Sequence, residues 1–381
     1  MNSDVNVEII KTDGFIKQAA AERSFEYAVT AASPGEEIAP PYDPAELARY
    51  YQSNSYHQRC VQTKALVTAG LGYELSPAGE YFSDSDSSVN MLKAAGPEAE
   101  EEAEKIKRFL TNNELETGDT FIEMLIKFQT DFEVFGYAFL EVAPDNETGE
   151  TLLYHMPAKN SALSFSGSGK EIVLRQNING KIQLFSPGQF LMIKNYNPES
   201  RYYGLPEYIS SLPAILLDRE MMEYNISRIQ NNAIPDLIVT VSGTQLSQAQ
   251  KDTMKEFWKN NFKGAGNSGK TLLIESTAKD SQIQVTEIKS TYRDGAFRLA
   301  KRECRDEIIA CHGVPPILLG IKTSGSIGSG KDIIEQMRTF REIIIEPRQR
   351  RLENLLNTFF TDKLGVNNTK LKLKNILITE E

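Results

Sequence analysis

The most regular hydrophobic pattern in the chain lies near its middle. Between Gly204 and Ala233, apolar residues fall at Ile209, Leu212, Leu216, Met222, Ile226 and Ile229, while Asp218, Arg219, Glu223 and Arg228 take the opposite face. These are helical spacings. They predict one long amphipathic helix, entered through a turn at Tyr203-Gly204 and started by Pro206. A second helix is predicted over Asp294 to His312, with Phe297, Ala300, Cys304, Ile308 and Cys311 on one stripe. The stretch between them reads as a small βαββ module, with a strand over 236–241, a helix over 247–262 and strands over 270–275 and 284–288. Ser247 caps that helix, and Gln250 three residues on approximates a capping box. Two long helices bracketing an inserted module organise the rest of the chain.

Upstream, Ser33-Pro34-Gly35 and Pro40-Pro41 punctuate an extended or partly disordered arm. Folding is predicted to begin at Asp43-Pro44, an N-cap followed by proline at the first helical position. One helix is predicted over 45–69, then a strand over 73–76 and a mobile Ser/Asp/Gly loop over 77–97. Residues 98–110 form a helix start that is acidic first and basic later, as the helix dipole favours, with its charges on a solvated face. Another amphipathic helix follows over 120–135. At Gly136 the period changes to two, predicting a hairpin of 137–142 with 152–155 and strands over 163–165, 171–176, 182–185 and 190–194. Residues 43–203 are therefore an α+β domain. Downstream, Gly313-Val-Pro-Pro316 stops helicity, and 320–331 is a Gly/Ser loop with many accessible backbone conformations. A last helix over 332–360 should kink at Pro347, and residues 370–378 have the alternation of a terminal strand.

Composition narrows the function classes. The chain has 381 residues, 40% hydrophobic and 25% charged, with a net charge of -10. A protein that grips nucleic-acid phosphate tightly is usually basic, so a DNA partner would be surrounded rather than clamped. Cys60, Cys304 and Cys311 show no metal-ligand spacing and read as reduced intracellular thiols. His57, His155 and His312 are far apart in sequence, which leaves little for a metal site or a histidine-based triad. The polar, acidic start lacks the features of a signal peptide, and no apolar run approaches the roughly 20 residues that span a bilayer. These features predict a soluble protein with no catalytic set, no metal and no cofactor.

One match must be weighed against that. Gly264 to Thr271 fits GxxxxGK[ST], which would make the chain a nucleotide-binding enzyme. A phosphate loop needs a strand before the glycines and a helix N-terminus after them. Here the predicted order is reversed. A second candidate, Gly325 to Asp332, precedes a helix but has Asp where a metal-holding hydroxyl belongs. Phe257 and Trp258, with Lys259, Asn260 and Asn261, lie on the module helix, where one aromatic should face its sheet and the rest could form a contact patch.

The order of these features resembles the portal proteins of tailed bacteriophages. The resemblance rests on Tyr202-Tyr-Gly-Leu-Pro-Glu207, a long helix ending Asn231-Asn-Ala233, the βαββ module, and Gly313-Val-Pro-Pro-Ile-Leu-Leu-Gly320 before a Gly/Ser loop and a helix with Phe340 and Pro347. It is nearest the short branch of contractile-tailed phages and PBSX-type defective prophages, and runs from about Tyr50 to Leu356. It implies an arm (1–42), a wing (43–203), a stem of two helices (204–233 and 292–319) and an inserted clip (234–291). A tunnel loop (320–331), a kinked channel helix (332–360) and a C-terminal tail (361–381) complete the expected portal fold. The implied function is a non-enzymatic, twelve-subunit ring at one capsid vertex, in the virion and, during assembly, in the bacterial cytoplasm. Double-stranded DNA would pass through it during packaging and ejection. The implied partners are the terminase large subunit, a head-completion or adaptor protein, and the major capsid and scaffold proteins. Lys322, Ser324, Ser326 and Lys331 are the DNA-channel candidates, and Phe257 to Asn261 the candidates for partner contact on the clip. A tail or baseplate adaptor is the remaining non-enzyme alternative.

Overall fold

The computed structural model describes residues 36–78, 88–144, 150–167, 171–231, 237–242, 282–287, 294–321 and 330–378. The first helices are α1 (Pro44–Ser53) and α2 (Ser55–Ala69). Asp43 accepts from the Ala45 amide and Pro44 opens α1, as the sequence predicts. The single helix expected over 45–69 is instead two. Asn54 is extended (φ -112°, ψ 114°), closes α1, and caps α2 by accepting from the His57 amide at 2.9 Å. A residue whose side chain mimics a backbone acceptor competes with helix continuation, and periodicity alone does not register it.

Strand β1 (Tyr73–Pro77) is followed by α3 (Ser88–Ala95), α4 (Pro97–Thr117) and α5 (Phe121–Phe135). Helix α3 occupies part of the stretch expected to be loop. In α4 the charged run is not wholly solvated. Glu102 is buried, and its carboxylate accepts from the amides of Asn367 (3.1 Å) and Asn368 (2.6 Å). Those residues lead into β10 (Thr369–Leu373), which pairs antiparallel with β1, so the predicted terminal strand returns to the start of the domain.

Strands β2 (Tyr137–Pro144), β3 (Thr151–Met156) and β7 (Phe190–Lys194) form one sheet in the order β3-β2-β7. Strands β4 (Ser161–Phe165), β5 (Ile172–Ile178) and β6 (Lys181–Phe185) form a second. Residues 36–38 are ordered too: Ile38 donates to the Leu163 carbonyl at 2.8 Å, so the end of the arm lies along β4. The β3-β2-β7 sheet divides two cores, because alternate residues of a strand face opposite sides. Ala138, Leu140, Val142 and Ile193 pack with Phe121, Phe128, Phe132 and Phe359 on one side. Tyr137, Phe139 and Met156 pack with Tyr203, Tyr208 and Ile215 on the other.

The chain leaves this sheet through a tight crossing. A Cβ on Gly204 would stand 2.1 Å from the Gly136 carbonyl oxygen, and one on Gly136 would stand 2.6 Å from the Leu205 carbonyl carbon. Gly136 also has φ 80°, a left-handed conformation suited to glycine. The long helix expected from 204 starts as a 3-10 turn over Glu207–Ser211 and becomes α6 only at Leu212–Asn231. Its partner α7 spans Asp294–His312, the range predicted. The two helices pack together: Tyr224 and Phe297 ring centroids are 6.5 Å apart, and Lys301 Nζ lies 3.9 Å from Met222 Sδ. Between them, β8 (Leu237–Ser242) pairs antiparallel with β9 (Gln282–Glu287). After a 3-10 turn at Pro316–Leu319 come α8 (Gly330–Thr339), a π-helical segment (Phe340–Ile345) and α9 (Glu346–Leu364). Pro347 stands in the first turn of α9. Having no N–H, it cannot donate to a carbonyl four residues back, and the chain widens just before it, the Glu346 amide donating to Arg341.

Candidate functional site: the root of the helical pair

The buried stripe of α6 differs from the periodic expectation. Ala214, Ile215, Asp218 and Met221 are buried, whereas Met222 and Ile226 are exposed. Asp218, expected on the charged face, accepts from Asn54 Nδ2 at 3.0 Å, and Lys301 Nζ stands 4.0 Å from its other oxygen. The stripe predicted for α7 does face inward, with Cys304 and Ile308 buried and Phe297, Ala300 and Cys311 partly so. The three cysteines are free thiols.

Where the two helices meet the body, charged groups replace the core. Glu133 of α5 is fully buried and is met by Lys64 of α2 and by Arg348 of α9, whose Nε lies 2.6 Å from Glu133 Oε1. Arg348 also pairs with Glu207 at the 3-10 turn and donates to the Ile344 carbonyl at 2.6 Å, inside the π segment. Lys64 lies 3.6 Å from Glu207, and Gln129 donates to Glu133 at 2.9 Å. Burial by itself would push the Glu133 carboxyl up, but Lys64 and Arg348 hold it down at about 2. Lys64, Arg348 and Glu133 thus share one desolvated seam, with the more exposed Glu207 at its edge, and this pairing is what keeps buried charge tolerable.

Beside the seam, His57 Nδ1 and His312 Nε2 are 2.9 Å apart, joining α2 to the last residue of α7. Tyr208 stacks on His312 (centroids 5.5 Å, 21° between planes) and donates to the Val134 carbonyl at 2.8 Å. Burial, followed by the nearby Lys64 charge, lowers His57 to about 3 and His312 well below its ordinary value. Both rings are therefore neutral at pH 7, one donating and the other accepting. The seam welds α2, α5, the 3-10 turn before α6, α7 and α9 into one unit.

Sequence reading missed this junction because its charges sit inside apolar stripes. His57, Cys60, Val61, Lys64, Ala65 and Thr68 are all buried at helical spacing on α2, and Ile345, Arg348, Gln349, Leu352 and Leu356 across the π segment and α9. A lone charge at a core position of an amphipathic period was the available signal. Of the residues singled out from sequence, Pro347 is placed as above and Lys331 falls within α8. Phe257, Trp258, Lys259, Asn260, Asn261, Lys322, Ser324 and Ser326 lie outside the described residues, as does the Gly264 to Thr271 match.

The family model for phage portal proteins matches residues 59–380. The chain is 23% identical over 394 residues to the phage-like element PBSX protein XkdE of Bacillus subtilis, covering 88% of this chain and 77% of that one. It is 24% identical over 235 residues to the probable portal protein of Escherichia phage P2, covering 60% and 65%. Its fold is similar to that of a chain from the neck of a native gene transfer agent particle computed with C12 symmetry, with a TM-score of 0.61 and 19% identity, covering 90% of this chain and 87% of that one. The α+β architecture is the portal fold, and the chain belongs to the phage portal protein family.

Proposed function

We propose that this portal protein assembles head to tail into a twelve-subunit ring at a capsid vertex and serves as a conduit for double-stranded DNA. One observation carries the arrangement. At 3.6 residues per turn, Leu217 (49% exposed) and Tyr224 (41%) fall on one flank of the buried stripe of α6, and Met222 (46%) and Ile226 (47%) on the other. A closed ring needs two different faces, one for each neighbour, whereas a two-fold dimer needs one face used twice. Apolar surface on both flanks of α6 suits the first. The C12 symmetry of the gene transfer agent neck is the analogy for twelve copies.

In this reading residues 43–203 are the wing, α6 and α7 the stem, and 234–291 the clip, where Phe257 to Asn261 meet the terminase motor or an adaptor. Lys322, Ser324 and Ser326 touch DNA from the stretch that precedes α8, and Lys331 from the first turn of that helix. A net charge of -10 repels phosphate, so a duplex slides instead of sticking. The major capsid and scaffold proteins are its further partners, and the ring is structural, without catalysis of its own. Native mass measurement with negative-stain imaging tests the assembly. Closed twelve-subunit rings are expected from the unaltered chain, and folded monomers from Leu217→Lys combined with Ile226→Lys. Rings that form equally well from the double variant would refute the stem-face assignment.

A further inference from the structure

Each of the two three-stranded sheets is covered at one edge and open at the other. At β4, Ile38 donates to the Leu163 carbonyl and the Phe165 amide to that of Glu36. At β3, Asn113 accepts from the Leu153 amide at 2.6 Å. Among the described residues, β6 pairs with β5 alone and β7 with β2 alone. A row of unpaired backbone donors and acceptors is a template for one more strand.

Specific bonds set the phase of both edges. On β7, the bonds Val142 N to Gln189 O and Asn195 N to Gly136 O, both 2.8 Å, turn Leu191 and Ile193 toward β2 and leave the backbone groups of Phe190, Met192 and Lys194 outward. In the other sheet, Asn179-Gly180 is a two-residue turn with both residues at positive φ, so the flanking Ile178 and Lys181 exchange bonds. The Ser166 N to Glu171 O bond, 2.8 Å, gives β5 the same phase, Arg175 turning to β4 and Gln176 to β6. Ile182 and Leu184 therefore carry the outward backbone groups of β6. Their side chains are 51% and 62% exposed, on the face opposite the buried Phe185. Lys181 and Gln183 are exposed as well, so this end of the hairpin stands clear of the body on both faces.

Strand β7 has the matching vacancy. Leu191 and Ile193 face α9, and a cleft of about 640 Å³ runs between that side of the strand and Leu355 and Phe359, with Arg351 and Lys363 also lining it. Strand direction decides which side chains would enter it. In an antiparallel pair, Ile182 and Leu184 would stand beside Phe190 and Met192 on the far face, and Lys181 would be driven into the cleft that holds Arg351 and Lys363. In a parallel pair, a residue bonded to its neighbour lies opposite one whose backbone groups turn away. Ile182 and Leu184 then stand beside Leu191 and Ile193 and fill the apolar cleft.

We propose that β6 of one copy adds in parallel to β7 of a second copy, Ile182 opposite Leu191 and Leu184 opposite Ile193. A second copy is the occupant because this chain carries both halves of the contact, two open edges of five residues each, one with uncovered apolar side chains and one with an apolar cleft. The two edges differ, so the contact is head to tail and propagates from copy to copy. The inference rests on the ring proposed above and adds a contact outside the stem.

Paired cysteines in the full chain test it, on a Cys311→Ser background that removes the partly exposed native thiol. With Ile182→Cys and Leu191→Cys together, mild oxidation should give a ladder of disulfide-linked species beyond the dimer, since each copy links both onward and backward. Either cysteine alone should give none. Leu184→Pro removes an outward N–H and leaves the β5 ladder intact, so exchange at the Met192 and Lys194 amides of the assembled protein should rise at least tenfold. Rings that form without the ladder, or unchanged exchange at those amides, overturn this inference and leave the ring standing. Dimers from Ile182→Cys alone would mean that β6 pairs with its own counterpart, which also overturns it. Protein that stays monomeric by native mass overturns both.

Discussion

Helices α5 and α6 are both amphipathic, yet they end in different environments. α5 is wrapped by α2 and the β3-β2-β7 sheet, with Phe121, Leu125, Phe128 and Phe132 essentially inaccessible and a reciprocal Thr120–Glu123 capping box at its start. α6 has α7 along one side and leaves Leu217, Met222, Tyr224 and Ile226 about half exposed. Burying such a side chain contributes about 1.5–3 kcal/mol, a gain that α5 collects within one chain and α6 there collects only in part. The core of the body is finished as a monomer. The helical pair keeps exposed apolar flanks, and the ionic seam fixes its root.

The sharpest way to break the finished half is Glu133→Gln. It leaves Lys64 and Arg348 buried without their shared counter-charge and should cost about 3–5 kcal/mol in urea unfolding. Glu207→Gln removes a carboxylate 40% exposed and should cost about 1 kcal/mol or less. Equal losses from the two would show that the seam is not desolvated.

Acid tests the junction next. A histidine whose folded-state pKa is lowered stabilises the fold above its unfolded value of 6.5, and that contribution is lost as the pH falls from there toward the folded value, about 3 for His57. Stability should decline below pH 6.5 by up to about 1.4 kcal/mol per pH unit for each ring. The Glu133 contribution fades only below 4.5, toward about 2. Thermal melts between pH 6.5 and 4.5 thus separate the histidines from Glu133, and His312→Asn should flatten the slope. Tyr208→Phe, which orphans the Val134 carbonyl, should cost about 1–2 kcal/mol by the same unfolding assay. Smallest is Ile226→Lys, expected to change monomer unfolding by no more than about 0.5 kcal/mol. A large loss there would mean that α6 is completed within the monomer after all.

Much of the body was legible from pattern. The hairpin of β2 with β3, the strands β4 to β7 and the boundaries of α7 follow from a hydrophobic period and its punctuation: Gly136 ends α5, and Asn179-Gly180, both at positive φ, turn β5 into β6. What failed, failed for local or long-range reasons that a period does not encode. Asn54 broke a helix by offering its side chain as a cap. Glu102 left a charged run because Asn367 and Asn368, far along the chain, brought it two amides.

By itself, then, the sequence determined the order and type of the elements and, through the spacing of its motifs, the family. Local propensity and periodic burial depend on neighbours a few residues away, and those are written in the chain. Only the tertiary structure decided which charges are buried together. Lys64, Glu133 and Arg348 are separated by scores of residues, and a carboxylate becomes an internal strut only when packing removes its water and delivers the cations that replace it.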